Sequence, residues 1–486
     1  MKKSNMHKKI TIFIIFIWDI LALALAFVIS AILAQYISVQ ILDNHYMELI
    51  SAESLERAKS FSVISAFVLF VFYNRGHYSR RIPWWSQIRY IIITLAIALL
   101  IDGFMHFATK HNFSRLWIVL CWFLSFVFII TGRQIAKFIA SKLNLWKVPS
   151  IIIGDKRNII ESIFALYSES YTGYDVKTLV IHKGYKNFDK YELPIGYQNV
   201  EIIDGSKDYD ELINKNKDSF YVLAPNSFDS FNFEKLVNKI TDNNSRYSIV
   251  PPIEGIKLYG STPQYFFGHD VMFLFSRDII HSPLAIIVKR SMDILGSIIG
   301  LITLLPIFII LMLLIKKDGG PVFFGHERIG KNNKRFKCWK FRTMSVDAEA
   351  ALENLLKNDK AAKQMWDTHR KLINDPRITK IGKLLRKTSI DEFPQLWNVL
   401  RGHMSLVGPR PILPDEVIFF NESELSKYKS VRPGITGLWQ VSGRNNVSFK
   451  QRVHFDTWYV ENWSLWCDIV VIIKTGFVLV NRLGAR

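Results

Sequence analysis

The stretch KRSMDILGSIIGLITLLPIFIILMLLIKKDGGP, residues 289–321, decides how this chain is arranged relative to a membrane. Its apolar part, residues 294–315, is long enough to cross a bilayer, and Pro306 interrupts it. A proline removes one helical hydrogen bond and clashes with the preceding turn, so the helix should bend there. Two arrangements are open: a kinked span, or a helix that enters the membrane and returns to the same face.

Basic residues on both sides of this stretch favour the second arrangement. Lys289 and Arg290 precede the apolar part. The residues that follow it closely include Lys316, Lys317, Arg328, Lys331, Lys334, Arg335, Lys337, Lys340 and Arg342. Because positive charge collects on the cytoplasmic side, the sequence predicts a re-entrant helix with its break at Pro306.

Upstream, four further apolar runs predict a transmembrane domain over residues 1–147. The mean hydropathy of +0.14 is high for a soluble chain of 486 residues. The runs are residues 10–33, 61–73, 90–107 and 116–131, of which the second is the shortest. Basic residues before the first, between the second and third, and after the fourth belong in the cytoplasm. A cleaved signal peptide is the alternative for the N-terminus, but the first run is too long and lacks a small-residue cleavage site.

Two acids, Asp19 and Asp102, fall inside these runs. An ionisable residue in a span indicates either a functional site or pairing inside the bundle, and we favour pairing. Cys121, Cys338 and Cys467 match no metal or redox spacing, which fits a reducing compartment.

The net charge of +20 allows nucleic acid as a partner, but no nucleic-acid motif accompanies it. Orientation in the membrane and attraction to anionic lipid explain the charge more simply, and a phosphate-rich substrate is compatible with it. We therefore expect membrane lipid as a partner and no nucleic acid.

Residues 148–252 show short apolar runs that alternate with helix-like stretches, which predicts a parallel, Rossmann-like α/β domain. The runs are VPSIIIG, YDVKTLV, NVEIID, SFYVLAP and RYSIVPP. The loop IIIGDKRN has only one glycine of the dinucleotide fingerprint, so we expect no dinucleotide and a role in regulation or assembly. Residues 253–284 form a connecting segment.

The stretch TSIDEFPQLWNVL, residues 388–400, contains two adjacent acids, Asp391 and Glu392, followed by Pro394. The proline places the acids at or just before the first turn of a helix, where free N–H groups favour a phosphate. Because two carboxylates repel an anionic substrate, a divalent cation such as Mg²⁺ should bridge them. A simple capping box from Ser389 to Glu392, without catalytic meaning, is the open alternative.

Four motifs together resemble the bacterial polyprenyl-phosphate hexose-1-phosphate transferases. They are GGPVFFGHERIG (319–330), KFRTM (340–344), RKTSIDEFPQLWNVLRGHMSLVGPRP (386–411) and RPGITGLWQVSGRN (432–445). The resemblance covers the whole chain and implies a membrane protein of the α plus α/β class. It implies a four-helix transmembrane bundle, a Rossmann-like domain, and a re-entrant helix with a small, mostly helical catalytic domain over 285–486. Leu305, where the family commonly has Ser, and His403, where it commonly has an acid, depart from the pattern.

The resemblance implies that Asp391 is the nucleophile and that Glu392, with Asp391, places Mg²⁺. The donor would be a UDP-sugar and the acceptor undecaprenyl phosphate, with UMP released. The whole-chain arrangement is most similar to members that transfer galactose 1-phosphate at the start of surface-glycan synthesis. A homodimer in the bacterial inner membrane is expected, with the catalytic domain on the cytoplasmic face.

By position in these motifs, Lys340, Arg386 and Arg410 are the candidates for binding phosphate. The weaker candidates for nucleotide contacts are Arg342, Arg377, Arg432, Gln440 and Arg444. Trp439 is either a uracil contact or a core residue. For an isolated basic residue, a solvated or lipid-facing charge is the more common role.

Two functions from other classes stay open on the sequence alone. One is a non-catalytic membrane scaffold or regulator of glycan assembly that retains the fold. The other is a transporter, which the small number of full spans disfavours.

Overall fold

The structure is a computed structural model that describes residues 2–40, 52–109, 114–182, 185–194, 196–205, 210–227, 233–243, 245–252, 262–265, 272–275, 283–317, 319–358, 375, 377–442 and 448–480. The chain divides into two compact units, Met1–Gly255 and Ile256–Arg486. The finer division predicted from the sequence stays a prediction.

The first unit begins with four long helices, α1 Lys2–Gln40, α2 Ala52–Asn74, α3 Trp84–Thr109 and α4 Arg115–Lys142. Among the described residues, α1, α3, α4 and a later helix, α8 (Pro283–Lys316), are long and apolar enough to cross a membrane. The predicted run 61–73 forms part of α2. Helix α2 is not among the helices that are long and apolar enough to cross a membrane, because its first turns are polar. The chain is an integral membrane protein.

The two acids predicted inside spans are fully buried, and each pairs with a fully buried arginine. Asp19 on α1 binds Arg133 on α4 with a closest distance of 2.5 Å. Asp102 on α3 binds Arg57 on α2 at 2.6 Å. The interpretation that these acids are paired inside the bundle is therefore confirmed.

A five-stranded parallel sheet follows the bundle, in the order β3-β2-β1-β4-β5. Its strands are β1 Val148–Gly154, β2 Tyr174–Ile181, β3 Glu201–Asp204, β4 Phe220–Ala224 and β5 Arg246–Ile249. The helices between them are α5 Lys156–Ser168, α6 Asp210–Lys215 and α7 Phe233–Asp242. Strand β1 is apolar throughout its centre because both faces are covered: Ile152 packs with Ile159 of α5, and Ile153 packs with Ile240 of α7. The predicted Rossmann-like sheet is thus confirmed.

The loop after β1 differs from a phosphate-binding loop. A Cβ atom at Gly154 would collide with the carbonyl of Ala224 on β4, so this glycine allows close strand packing. The next residue, Asp155, is the N-cap of α5, and its carboxylate accepts the backbone N–H of Asn226 at 2.7 Å. An acid at this position disfavours a bound phosphate, which supports the expectation that the domain binds no dinucleotide.

The described part of the second unit contains α8 and three two-stranded sheets. Strands β6 Thr262–Tyr265 and β7 Met272–Phe275 form an antiparallel pair before α8, within the predicted connecting segment. Strands β8 Phe323–Ile329 and β9 Arg335–Phe341 are antiparallel, and β10 Ser405–Val407 and β11 Gly434–Thr436 are parallel. The other helices are α9 Ala348–Asn358, α10 Lys380–Thr388, α11 Gln395–Leu400, α12 Glu422–Ser430, α13 Leu438–Ser442, α14 Phe449–Glu461 and α15 Leu465–Val480.

Helix α8 is continuous through Pro306. The bend predicted at this proline and the re-entry of the helix both stay predictions. Before the proline, the buried Asp293 accepts hydrogen bonds from the Ser405 hydroxyl and the Leu406 N–H, both at 2.9 Å. After it, Phe308 packs against Phe341 of β9.

Candidate active site

A cavity of about 1180 Å³ in the second unit contains the acidic pair. The predicted site residues that line it are Lys340, Arg342, Arg377, Arg386, Asp391, Glu392, Arg410 and Gln440. Arg432 is not among the lining residues, and Arg444 lies outside the described residues. The structure thus brings together most of the side chains that were selected from separate motifs.

The acidic pair lies in a single 3-10 turn, Ile390–Glu392, between α10 and α11. Helix α10 ends because Ser389 adopts a left-handed conformation with φ of +57°, and its N–H bonds back to α10. Pro394 then starts α11 at Gln395. The prediction that the acids precede a short helix is confirmed, although α11 has only 6 residues and therefore a small dipole.

The capping-box alternative is wrong for this turn. Ser389 makes no side-chain capping hydrogen bond, and its left-handed backbone differs from the extended backbone of an N-cap. The Glu392 carboxylate instead binds Lys340 on β9, with 2.5 Å between Oε1 and Nζ. Both side chains of this ion pair are 29% exposed, so they lie at the wall of the cavity.

Burial raises the pKa of Asp391 to about 6. The positive charges of Lys340 and Arg386 oppose this rise, while the negative charge of Glu392 adds to it. Among the described residues, none forms an ion pair with the Asp391 carboxylate within 4 Å. This carboxylate is therefore poorly solvated, ionised at neutral pH, and available to an incoming group.

The three predicted phosphate-binding cations are held differently. Lys340 binds Glu392, and the Arg386 Nε donates to the hydroxyl of Thr343 at 2.9 Å. The guanidinium of Arg410 lies 5.3 Å from the ring centre of Trp439. All three line the cavity that contains Asp391, so an anionic group beside this acid would meet positive charge.

The weaker nucleotide candidates are largely engaged in local structure. Arg342 donates to the backbone oxygens of Ile315 at 3.2 Å and Pro321 at 2.6 Å, which holds the end of α8 against β9. Arg377 binds the Asp375 carboxylate with a closest distance of 2.6 Å.

Arg432 donates to the Gly402 oxygen at 2.8 Å, away from the cavity lining, so the structure gives it a structural role. The Gln440 amide donates to the Ile435 oxygen at 3.3 Å. Trp439 is 5% exposed, which fits a core residue better than a platform for a base. His403, one of the departures from the family pattern, stacks on Phe336 and is not a lining residue.

The polar residues of the cavity wall that sequence reasoning did not select as site residues include His326, Arg328 and Thr343. Burial, together with the charges of Arg328 and Lys340, holds the pKa of His326 below its usual value. His326 and Arg328 lie two residues apart on β8, which is the spacing that points two side chains to one face of a strand. That alternation was the signal that could have indicated them.

The two carboxylates are compatible with Mg²⁺. The described residues contain no cluster of three or more His, Cys, Asp or Glu side chains placed to bind a metal. Mg²⁺ commonly uses one or two protein carboxylates and completes its shell with substrate phosphates and water. The raised pKa of Asp391 also indicates a position where added positive charge is favourable.

Comparisons with known proteins identify the family. The family model described as bacterial sugar transferase matches residues 284–482. The chain is 38% identical over 411 residues to the UDP-galactose-lipid carrier transferase of Erwinia amylovora, with 84% of each chain covered. The chain belongs to the bacterial sugar transferases. This confirms the family recognised from the motifs.

Two further relatives are matched over different shares of this chain. The undecaprenyl-phosphate galactose phosphotransferase of Salmonella typhimurium is 37% identical over 415 residues, with 84% of each chain covered. The exopolysaccharide production protein ExoY of Sinorhizobium fredii is 52% identical over 194 residues, which are 40% of this chain and 85% of that protein. Most of that relative thus corresponds to less than half of this chain.

Proposed function

We propose that this bacterial sugar transferase transfers a hexose 1-phosphate, galactose 1-phosphate by preference, from a UDP-sugar to undecaprenyl phosphate. The observation that carries the proposal is the partly buried Asp391, which forms no ion pair among the described residues and is influenced by the charges of Lys340 and Arg386. The similarity to proteins named for galactose and undecaprenyl phosphate over 84% of the chain supports the choice of substrates. The product would begin an O-antigen, capsule or exopolysaccharide.

The reaction proceeds in two displacements at one phosphorus atom. A carboxylate oxygen of Asp391 attacks the β-phosphorus, the bond from that phosphorus to the bridging oxygen breaks, and UMP leaves with the electron pair. An oxygen of undecaprenyl phosphate then attacks the phosphosugar on Asp391, and the carboxylate leaves. The soluble and lipid substrates can therefore use one site in turn.

The cations of the cavity wall stabilise this transfer. Lys340, Arg386 and Arg410 place positive charge where the transferring phosphoryl oxygens gain negative charge. Glu392 and Asp391 would hold Mg²⁺, which supplies further charge neutralisation for the phosphate oxygens. Glu392 also holds Lys340 at the wall, so it orders a cation in either case.

The direct test is to trap the phosphosugar on the protein. UDP-galactose labelled in the sugar is mixed with the full chain in nanodiscs, with Mg²⁺ and without lipid acceptor, and then quenched rapidly. We expect labelled protein and released UMP, followed by loss of the label when undecaprenyl phosphate is added. Absence of an adduct, with UMP released only when both substrates are bound, would indicate direct transfer, and no UMP at all would favour the scaffold.

The sugar is tested with a panel of UDP-hexoses. We expect UMP release from UDP-galactose to exceed release from UDP-glucose and from N-acetylated sugars. A tenfold preference for another sugar, equivalent to about 1.4 kcal/mol of transition-state binding, would overturn the assignment to galactose.

Re-entry of α8 is part of the proposal, because the catalytic unit contacts the helix on both sides of Pro306. Asp293 binds the β10 region before the proline, and Ile315 bonds to Arg342 after it. A helix that crossed the bilayer completely would separate these two contacts by hydrocarbon about 30 Å thick, which argues against a full span.

A cysteine substitution tests this topology. The change Asn358→Cys places a thiol at an exposed position after α8, whereas the native thiols of Cys121, Cys338 and Cys467 are buried. We expect no labelling by an impermeant reagent in intact cells and full labelling after permeabilisation. Labelling of intact cells would show that α8 is a true span.

We also propose that the protein is a homodimer in the bacterial inner membrane, with residues 148–252 and 316–486 on the cytoplasmic face. The family resemblance supports the dimer, and the positive charge around the spans supports the orientation. Native mass measurement in nanodiscs tests the dimer, and a monomer mass would contradict it.

A further inference from the structure

A buried asparagine joins the two segments that carry Glu392 and its lysine. Asn398 lies on α11 and is 1% exposed. Its side-chain Nδ2 donates to the backbone oxygen of Lys337 at 2.8 Å, and its Oδ1 accepts the backbone N–H of Trp339 at 3.0 Å. One carboxamide therefore binds a carbonyl and an N–H two residues apart on β9, as a neighbouring strand would.

Strand β9 needs such a partner because, among the described residues, its sheet consists of the two strands β8 and β9. The edge of β9 that faces away from β8 carries backbone groups that the hairpin leaves without strand partners. Asparagine suits this edge because its side chain has both a donor and an acceptor, whereas leucine of similar size has neither.

The position of Asn398 matters for the acidic pair. Lys340 follows Trp339 directly on β9, and α11 begins three residues after Glu392. Asn398 thus fixes the same two segments that the 2.5 Å contact between Lys340 and Glu392 joins. If α11 moved relative to β9, the charge of Lys340 would move relative to Asp391.

We propose that Asn398 is a positioning residue, which holds β9 against α11 so that Lys340 stays beside Glu392 and Asp391. The inference rests on the proposed role of Asp391 as the nucleophile. A merely structural asparagine would change only the amount of folded protein, whereas a positioning asparagine also changes how closely Glu392 engages Lys340 in the folded molecules.

The engagement of Lys340 provides a readout that does not depend on turnover. The Nζ atom of Lys340 lies 2.5 Å from Glu392 Oε1, and the lysine side chain is 29% exposed. An amine held in an ion pair reacts slowly with an amine-directed label, so its release from Glu392 should speed the labelling of Lys340. Mass spectrometry of labelled peptides at one fixed pH gives the labelling rate.

The experiment compares Asn398→Leu and Asn398→Ser with wild type, using the full chain in nanodiscs. We expect Lys340 to be labelled several-fold faster in Asn398→Leu and by a smaller factor in Asn398→Ser. The matched control is Asn462→Leu, because Asn462 is also buried but its amide donates to Trp458 O in the helix that precedes it, at 2.9 Å. The control should leave the labelling rate of Lys340 unchanged.

A second comparison separates action through the contact between Lys340 and Glu392 from a general disturbance. Glu392→Gln should speed the labelling of Lys340, and the addition of Asn398→Leu should speed it little further, because the two changes act through one contact. A folded Asn398→Leu or Asn398→Ser variant with the wild-type labelling rate, or two fully independent effects, would overturn the proposal. If Asn398→Leu does not fold, the serine variant decides.

UMP release by wild type is measured in parallel. Faster labelling of Lys340 in the variants without UMP release in wild type would contradict the proposed function and leave the positioning of Lys340 standing. UMP release in wild type with unchanged labelling in both variants would contradict the positioning and leave the proposed function standing.

Discussion

The two units of this protein bury carboxylates in opposite ways. In the membrane bundle, Asp102 binds the guanidinium of Arg57 through both carboxylate oxygens at 2.6 Å and also accepts the Trp122 indole N–H at 2.7 Å. In the catalytic unit, Asp391 lies near two cations, but within the described residues it has no ion pair with either. The first acid has its hydrogen-bonding capacity filled, and the second keeps its oxygens available.

The difference shows how burial and function are related. Asp102 is fully removed from water and Asp391 partly so, and an unpaired charge is costly in proportion to its burial. The bundle removes this cost with an arginine on a neighbouring helix, whereas the turn that contains Asp391 leaves part of it in place. A carboxylate with a raised pKa and no ion pair is suited to attack phosphorus. A carboxylate whose two oxygens both accept hydrogen bonds from an arginine is suited to hold helices together.

The largest expected effect comes from Asp391→Asn. An amide cannot form the phosphosugar bond, so adduct formation and UMP release should fall by at least about a thousandfold. Because the charged carboxylate is poorly solvated in the folded state, the melting temperature at pH 7 should stay unchanged or rise slightly. Both are measured on the same nanodisc preparation.

Asp102→Asn is the matched control for that change. It should lower stability and leave turnover per folded molecule unchanged. Turnover that survives Asp391→Asn, or that is lost in folded Asp102→Asn, would contradict the comparison between the two acids.

The second effect concerns the bundle alone. Arg57→Met removes the arginine from the buried Asp102 and leaves His106, whose Nε2 lies 3.1 Å from Asp102 Oδ1, as its ionisable neighbour. The loss of the arginine should cost about 3–5 kcal/mol of stability. The double change Arg57→Met with Asp102→Leu removes both charges and should recover most of the loss. Thermal unfolding in nanodiscs measures both, and a double variant as unstable as the single one would mean that the pair provides more than charge compensation.

The sequence predicted the fold where the local pattern is strong. All five strand runs of the α/β domain became strands because each is a short apolar segment between helical stretches. The sequence did not settle α8, because its course depends on what contacts both of its ends: Asp293 and Ile315 are held by residues more than twenty positions away in the chain.

The same limit applies to the candidate site. The acidic pair was predictable because its motif is local, whereas the engagement of Arg342 and Arg432 by backbone carbonyls was not. Nothing in a single motif states which carbonyl will lie beside an arginine after folding. Sequence reasoning therefore selected cations by residue type. The tertiary structure determines which of them line the cavity and which bind backbone oxygens.

The third effect is the pH dependence. The pKa of Asp391 is raised to about 6, so the rate of adduct formation should fall about tenfold per pH unit below that value, as the nucleophile is protonated. The stability contribution has the opposite sign: it is present below the unfolded pKa and is lost as pH rises through about 6. Rapid-quench rates and melting temperatures between pH 5 and 8 test both, and a rate that is flat across this range would contradict the assignment.

The smallest expected effect is a change in stability that tests whether Glu392 has only a structural, helix-capping role. A capping box over Ser389 and Glu392 would make Ser389→Ala cost about 1 kcal/mol. The left-handed backbone of Ser389 and its missing capping bond predict a change within about 0.5 kcal/mol. Ser389→Gly should stabilise by up to about 1 kcal/mol, because glycine adopts this conformation without strain.

A real capping box elsewhere in the same unit provides the control. Ser448 accepts the Gln451 N–H at the start of α14, and the Gln451 side chain accepts the Ser448 N–H. Ser448→Ala should therefore lose about 1 kcal/mol under the conditions in which Ser389→Ala loses little. Chemical denaturation of both variants in nanodiscs makes the comparison. Equal losses in the free energy of unfolding would support a capping role for Glu392. A much smaller loss in Ser389→Ala would support a Glu392 carboxylate that binds Lys340 at the cavity wall.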